Sequence, residues 1–274
     1  MIIAVRNGAA TLERALNSVL DQTYPHVELV VMDGASTDGS VAILERYAPR
    51  IPYWRSEPDS GIYDAWNKAL DHVTGDWICF LGADDKYASL DVLERLAGPL
   101  ASGFPPYRIA YAQGRLIEPD GSVRETYGSV WEGVRDAFRT GMVFPHPATF
   151  QHRALFAERG RFDASFRIAG DYELLMRELK HGDALFMPGV VATDIGAAGI
   201  SDHPRSRVRR LAEAERARRM HGLTRTPTWR SAILLRARVR WAVWRVMGPE
   251  AELRAAAAYR AVKGGLKRLW SRAR

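Results

Sequence analysis

Two adjacent carboxylates close the apolar run Trp77-Ile78-Cys79-Phe80-Leu81-Gly82-Ala83-Asp84-Asp85. Its apolar residues read as a strand buried on both faces, and ligands of open α/β sheets sit beyond the carboxyl ends of such strands. Neighbouring acids repel unless a cation or donor groups satisfy them. Mg²⁺ or Mn²⁺ holding phosphate oxygens would do so, because hard cations favour carboxylate ligands. An acidic turn with Asp85 capping a helix is the alternative. Asp33 ends a second apolar run, Val27 to Met32, where a carboxylate can accept hydrogen bonds from a base or a ribose. Turn and cap chemistry also explains Asp33 and Asp38. Asp171 stands where a helix marked by Leu174, Leu175, Glu178 and Leu179 begins, a place that favours a carboxylate electrostatically and equally suits an ordinary N-cap.

The elements that must position these acids alternate. Ile2–Val5 is a strand, short for the edge of a nucleotide site, and whether the true N-terminus is longer is left open. Leu12, Ala15, Leu16, Val19 and Leu20 repeat at helical spacing behind Thr11, a predicted N-cap. The strand ending at Met32 runs into Asp33-Gly34-Ala35-Ser36-Thr37-Asp38-Gly39-Ser40, then a helix to Tyr47. Tyr53–Ser56 is a brief strand. Ile62, Trp66, Ala69, Leu70 and Val73 form a helical stripe, with Asp64 and Lys68 spaced as an i,i+4 pair. Strand and helix thus alternate up to the central strand, which implies a mostly parallel sheet with helices on both faces. No G-x-G-x-x-G follows the first strand and no G-x-x-x-x-G-K-[ST] occurs, so neither a dinucleotide fold nor a P-loop is supported. Further on, Ser89 is read as capping a helix through Leu96, Pro119-Asp120-Gly121-Ser122 as a hairpin turn, Trp131–Arg139 as a helix, and Ala184–Thr193 as a strand pair broken at Pro188-Gly189.

Residues 2–85 resemble the nucleotide-binding half of the family 2 glycosyltransferases, which have the GT-A fold. The matching pieces are Val5-Arg6-Asn7-Gly8, Asp33 to Gly39, Asp59-Ser60-Gly61-Ile62-Tyr63-Asp64-Ala65-Trp66-Asn67-Lys68, and Gly75-Asp76 followed by Leu81-Gly82-Ala83-Asp84-Asp85. The resemblance implies an inverting glycosyltransferase of the hexosyltransferase type, using a nucleoside-diphosphate sugar and a divalent metal, Mg²⁺ or Mn²⁺. It places Val5, Asn7, Asp33, Ser36, Asp59, Asp64, Asn67, Lys68 and Asp84 around the nucleotide-sugar, with Asp33 at the base. Asp84 and Asp85 correspond to the acidic metal motif, whose usual first acid is replaced here by Gly82. Asp171 matches the catalytic base, with Glu173 as the fallback. His146 falls in the region that lines the acceptor pocket in the resembling sequences, and is read as structural or pocket-lining. Ala198-Gly199-Ile200-Ser201 resembles the family's glycine-serine loop, followed by His203, a further loop candidate. Such transfer needs a base for the acceptor hydroxyl and something to stabilise the leaving diphosphate. The other reading is a binding protein or scaffold on the same fold that recognises nucleotide-sugar without turnover.

Charge divides the chain. Residues 204–274 hold 20 Lys/Arg against 4 Asp/Glu, and residues 1–203 hold 19 against 28, within a net charge of +7. The expected organisation is a GT-A domain at 1–203 (nucleotide-sugar half 1–88, acceptor half 89–203) with a mainly parallel mixed sheet, then a basic helical extension at 204–274. Basic helices carrying tryptophan suit an anionic headgroup layer; the alternative is helices packed on the enzyme body with basic outer faces. The expected setting is therefore the cytoplasmic face of a membrane, in peripheral contact, with a cell-envelope or lipid-linked glycan as acceptor. Nucleic acid is not expected, since no binding module accompanies the charge. The single cysteine, Cys79, excludes an internal disulfide and is read as a reduced core thiol. No signal peptide and no run long enough to span a bilayer are read from the sequence.

Overall fold

The computed structural model describes residues 1–196, 204–223, 228–248, 250–251 and 254. Four strands form a parallel frame: β1 (Ile2–Val5), β2 (Val30–Asp33), β3 (Tyr53–Ser56) and β4 (Trp77–Gly82). Three helices cross over between successive strands: α1 (Ala9–Leu20), α2 (Ser40–Tyr47) and α3 (Ile62–Ala69). Their sheet order is β3-β2-β1-β4. The sheet continues antiparallel through β8 (Thr149–His152) to β6 (Ile109–Ile117), then parallel to β9 (Leu185–Gly196), and ends on the short β5 (Lys86–Tyr87). A hairpin adds β7 (Val123–Tyr127) to β6 through the Pro119–Ser122 turn, as its sequence predicts. The remaining helices are α4 (Val92–Gly103), α5 (Trp131–Phe138), α6 (Arg153–Arg159), α7 (Gly170–Leu179), α8 (Pro204–Met220) and α9 (Thr228–Met247).

Strand residues alternate between two cores because successive side chains leave opposite faces. Ile2, Val30 and Phe80 pack on one side with Trp66, Tyr172 and Leu175, whereas Ile3, Val31 and Leu81 pack on the other with Leu12, Leu16 and Leu96. Cys79 is buried in the second core, and burial pushes its thiol up to about 11, so it is an inert hydrophobe.

Several expected boundaries move. Thr11 does not cap α1: Gly8 is the N-cap, and its carbonyl accepts the first helical bonds. Asp91, not Ser89, precedes α4, which runs past Leu96 through an internal Pro99 to Gly103. The segment read as a strand pair is one long strand, β9, with Gly189 at φ 76°; it pairs with β6 on both sides of Pro188-Gly189, across a shift of register between Phe186 and Val191. The chain divides into two compact units, Met1–Gly199 with Glu213–Thr224, and Ile200–Ala212 with Arg225–Arg274. Residues 213–224 therefore belong to the first unit, although composition alone groups them with the basic extension.

Candidate active site

Parallel pairing brings the carboxyl ends of the frame strands to one edge. Asp33 lies in register between Val5 of β1 and Ser56 of β3, and Gly82 pairs with Ala4. Asp33 is 1% exposed. Its Oδ2 accepts from the Ser36 N–H (2.9 Å) and the Ser56 hydroxyl (2.6 Å), while its Oδ1 is buried with no partner among the described residues. A buried acceptor without a donor costs roughly 1–3 kcal/mol, so this oxygen is set up to receive an N–H or O–H.

Most neighbouring polar groups brace the loops that frame Asp33. Asn7 sits at φ 54°; its N–H donates to Ser36 Oγ (2.7 Å) and its Oδ1 accepts the Thr37 N–H (2.8 Å). Val5 is a core side chain whose carbonyl takes the Gly34 N–H. Asp38 accepts from Ala9 and Ser40, tying the starts of α1 and α2 together. Asp59 crosses over Gly34, where a Cβ would lie 2.3 Å from its Oδ2, and its Oδ1 accepts the Gly61 N–H. Asp64 holds the Ser60 N–H, which with the Lys68 charge keeps its carboxyl below the usual range. Lys68 donates to the Pro58 carbonyl and pairs with Glu57. Asn67 turns away from the loop: its amide clamps the Phe162 N–H (3.0 Å) and C=O (2.9 Å). Of the residues the resemblance assigns to the nucleotide, Asp33 thus keeps an open acceptor, and Asn67 and Lys68 serve as internal ties.

The acidic pair converges on Gly82. A Cβ there would lie 2.8 Å from Asp84 Oδ1 and 2.7 Å from Asp85 Oδ2, so the missing side chain is what lets both carboxylates fold back over the end of β4. Asp85 does not cap a helix; β5 follows it. Its Oδ1 accepts the Gly196 N–H (3.1 Å), and burial, reinforced by the Asp84 charge, holds its carboxyl well above the ordinary range. Asp84 is half-buried, and Arg14 fixes its carbonyl (2.9 Å). Two close carboxylates, one buried and resisting ionisation, form a donor set that fits a hard divalent cation, which would relieve the repulsion directly. No cluster of three or more candidate ligands occurs among the described residues.

Asp171 stands in the first turn of α7. Its Oδ1 accepts from the Tyr172 N–H (2.8 Å) and the Tyr63 hydroxyl (3.3 Å). Tyr63 is buried and its phenol is raised far above 10, by burial first and then by the Asp171 charge, so it stays a donor. Gly170 makes room for this contact, since a Cβ there would strike the Tyr63 ring at 2.8 Å. The loop before α7 also lies against Gly61 (φ 137°), where a Cβ would lie 2.6 Å from an Arg167 nitrogen. Glu173 is buried with both oxygens occupied, by Arg177 and by His221 Nε2 (3.0 Å). The fallback base is thus engaged in internal pairing on both oxygens. His146 stacks on Trp66 and Phe80 and meets Gln151 at 3.1 Å; burial lowers its pKa and keeps it neutral. His203 and the 198–201 loop lie outside the described residues.

Sequence reading misses Asp194, 7% exposed, which holds Arg115 (2.7 Å) and Lys86 (3.2 Å) from neighbouring strands beside Asp85. It also misses Tyr63 as the partner of Asp171. Only strand register and helix packing bring these groups together.

The model of glycosyl transferase family 2 matches residues 1–152. An uncharacterized glycosyltransferase of Mycobacterium tuberculosis is 34% identical over 168 residues, 61% of this chain and 63% of that protein. A PGL/p-HBAD biosynthesis glycosyltransferase of Mycobacterium bovis is 32% identical over 183 residues, 65% of this chain and 68% of the relative. The match thus spans somewhat under two thirds of the first of these relatives. Among solved structures, TarS residues 1–349 of S. aureus in complex with UDP-GlcNAc superposes with TM-score 0.63 at 17% identity, over 85% of this chain and 69% of that one. The mannosyltransferase PcManGT of Pyrobaculum calidifontis, in complex with GDP-Man and Mn²⁺, gives TM-score 0.62 at 22% identity over 96% and 74%. At these identities the likeness establishes the fold, a GT-A arrangement with a parallel frame. The family model covers more than half of the chain, and its span contains Asp33, Asp84 and Asp85 at the strand ends: the chain belongs to glycosyl transferase family 2.

Proposed function

We infer that this chain moves a sugar, with inversion, from a nucleoside-diphosphate sugar to an acceptor hydroxyl. The observation that carries the reading is the grouping at the ends of the parallel strands of a buried carboxylate with one unsatisfied oxygen, Asp33, and an acidic pair folded onto Gly82. Tyr63 ties Asp171 to α3, the helix into which the 59–61 loop leads. Asp33 Oδ1 is the acceptor for a nucleobase N–H, and the braced loops 36–38 and 59–61 wall the nucleoside. Asp84 and Asp85 would hold Mg²⁺ or Mn²⁺, which when bound offsets the charge of the leaving diphosphate. Asp171, half-buried and held by one main-chain and one phenolic donor, accepts the proton of the acceptor hydroxyl as that oxygen attacks the anomeric carbon. The nucleotide-sugar complexes of TarS and PcManGT support a nucleoside-diphosphate donor. The relative named for PGL/p-HBAD biosynthesis supports an envelope glycan or lipid-linked acceptor.

Peripheral contact with the cytoplasmic face of a membrane is part of this reading. α9 contains no acidic residue and exposes Leu235, Val239, Val246 and Met247 beside Arg236, Arg238 and Arg245. No described helix is long and apolar enough to cross a bilayer. Such a helix lies in the headgroup layer, its cations on anionic lipid.

The test is transfer of labelled sugar from UDP-glucose, UDP-GlcNAc, GDP-mannose or dTDP-rhamnose to a lipid extract. Asp171→Asn should lower turnover by roughly 10²–10⁴-fold, the share of a general base, with nucleotide binding kept. Transfer at the wild-type rate by that variant would sink the assignment of Asp171, whereas nucleotide binding without any transfer by the wild type would favour a binding protein.

A further inference from the structure

Three consecutive main-chain N–H groups converge on one carboxylate. Glu213 Oε2 accepts from Arg167 (3.1 Å), Ile168 (2.8 Å) and Ala169 (3.0 Å), and Oε1 takes a second bond from Arg167 at 3.2 Å. These residues lead into α7. Ala169 is its N-cap and has no side-chain cap of its own. The first N–H groups of a helix lack internal partners, and an N-cap side chain normally supplies an acceptor there. Glu213 of α8 instead holds the N–H of the N-cap and of the two residues before it, from more than forty positions away.

The contact is one of several along a single face of α8. Ala214 and Ala217 join the core that holds Tyr63, Ala169 and Tyr172. Arg216 lies 4.2 Å over the Phe166 ring and donates to Ser165 Oγ at 2.7 Å. Directly after the helix, His221 reaches Glu173 in α7. Glu213 before Asp171 and His221 after it thus grip both flanks of that residue.

We propose that Glu213 is a positioning residue for Asp171, a role that rests on Asp171 being the base. Glu213 touches no reacting atom. It fixes the direction in which α7 begins, and Asp171 is the second residue after the last N–H it holds. Without it the three N–H groups lose their common acceptor, and the entry angle of α7 rests on the Tyr63, Ser165 and His221 contacts. Misplacing a catalytic group by about 1 Å is worth on the order of 10²-fold in rate.

The experiment uses the full chain with Glu213→Ala and Glu213→Gln. It reads kcat and KM with whichever of the four donors above turns over, and amide hydrogen exchange across residues 160–180. With Glu213→Ala, kcat should fall roughly ten- to a hundredfold with donor KM within about twofold. Exchange should rise in 167–172 and stay unchanged in 33–40. Glu213→Gln keeps an acceptor oxygen and should recover part of the loss. Wild-type kcat in Glu213→Ala, unchanged protection in 167–172, or faster exchange spread evenly over the chain would each overturn the proposal. Asp171→Asn keeps the two ideas apart: if that variant stays active, the base assignment fails, while the exchange data still decide whether Glu213 holds the segment.

Discussion

Gly82→Ala places one methyl where the acidic pair converges. The added Cβ would stand 2.7 Å from Asp85 Oδ2 and 2.8 Å from Asp84 Oδ1. Ordinary contact begins at 3.4 Å, so the Asp85 oxygen must retreat by about 0.7 Å. Gly82 ends a strand with ordinary backbone dihedrals, so backbone strain plays no part. Asp84 is half-exposed and can swing aside. Asp85 is 6% exposed and anchored to the Gly196 N–H, so it must leave its rotamer, loosen that bond, or both. An off-rotamer side chain costs about 0.5–1.5 kcal/mol and a weakened hydrogen bond a similar amount. Together these reach about 1–3 kcal/mol, or roughly 5- to 150-fold in affinity. The assay is calorimetric titration of Gly82→Ala and wild type with UDP, GDP and dTDP, each with Mn²⁺ and with EDTA. The Mn²⁺-dependent part of the affinity should fall by that factor, and any metal-independent part should stay. Equal Mn²⁺-dependent affinity in the two proteins would refute the idea that the pair acts over Gly82.

Other perturbations separate tie from contact. Asn67→Ala strands the Phe162 N–H and C=O and should cost about 1–2 kcal/mol, a drop of roughly 2–8 °C in Tm by calorimetry, with nucleotide affinity unchanged. Lost nucleotide binding at unchanged Tm would return Asn67 to the donor pocket. His146 is held below its ordinary 6.5 by burial, so the unfolded chain takes up its proton first as pH falls. Its contribution to stability is complete above about pH 6.5 and drains away as pH drops toward the folded value. Urea midpoints at pH 7.5 and 5.5 should differ less in His146→Phe than in wild type; an unchanged difference would contradict the neutral, buried assignment.

The parallel frame is legible in the sequence because β1, β2 and β4 are short apolar runs closed by turn residues or acids, and helical stripes follow β1, β2 and β3. The same punctuation places Asp33, Asp84 and Asp85 at strand ends. What stays hidden depends on a partner distant in sequence. Nothing local tells that the Asn67 amide turns to Phe162 rather than to a ligand. Asp194 meets Arg115 and Lys86 only through strand register. β9 reads as two strands because Pro188-Gly189 looks like a turn, and only its pairing with β6 keeps it continuous. Glu213 is the strongest case. It stands in an arginine-rich stretch whose composition resembles the extension, and its role follows from three N–H groups more than forty residues earlier.

The most direct test of the donor site is the wild-type half of the calorimetric series, extended with Asp33→Asn and Asp85→Asn. One nucleotide should bind tightly in the presence of Mn²⁺ and more weakly in EDTA. Asp33→Asn should weaken it with and without metal, and Asp85→Asn only with metal. A folded protein that binds none of UDP, GDP and dTDP, or binds one equally well in all these variants, would contradict a donor site built from the strand-end carboxylates.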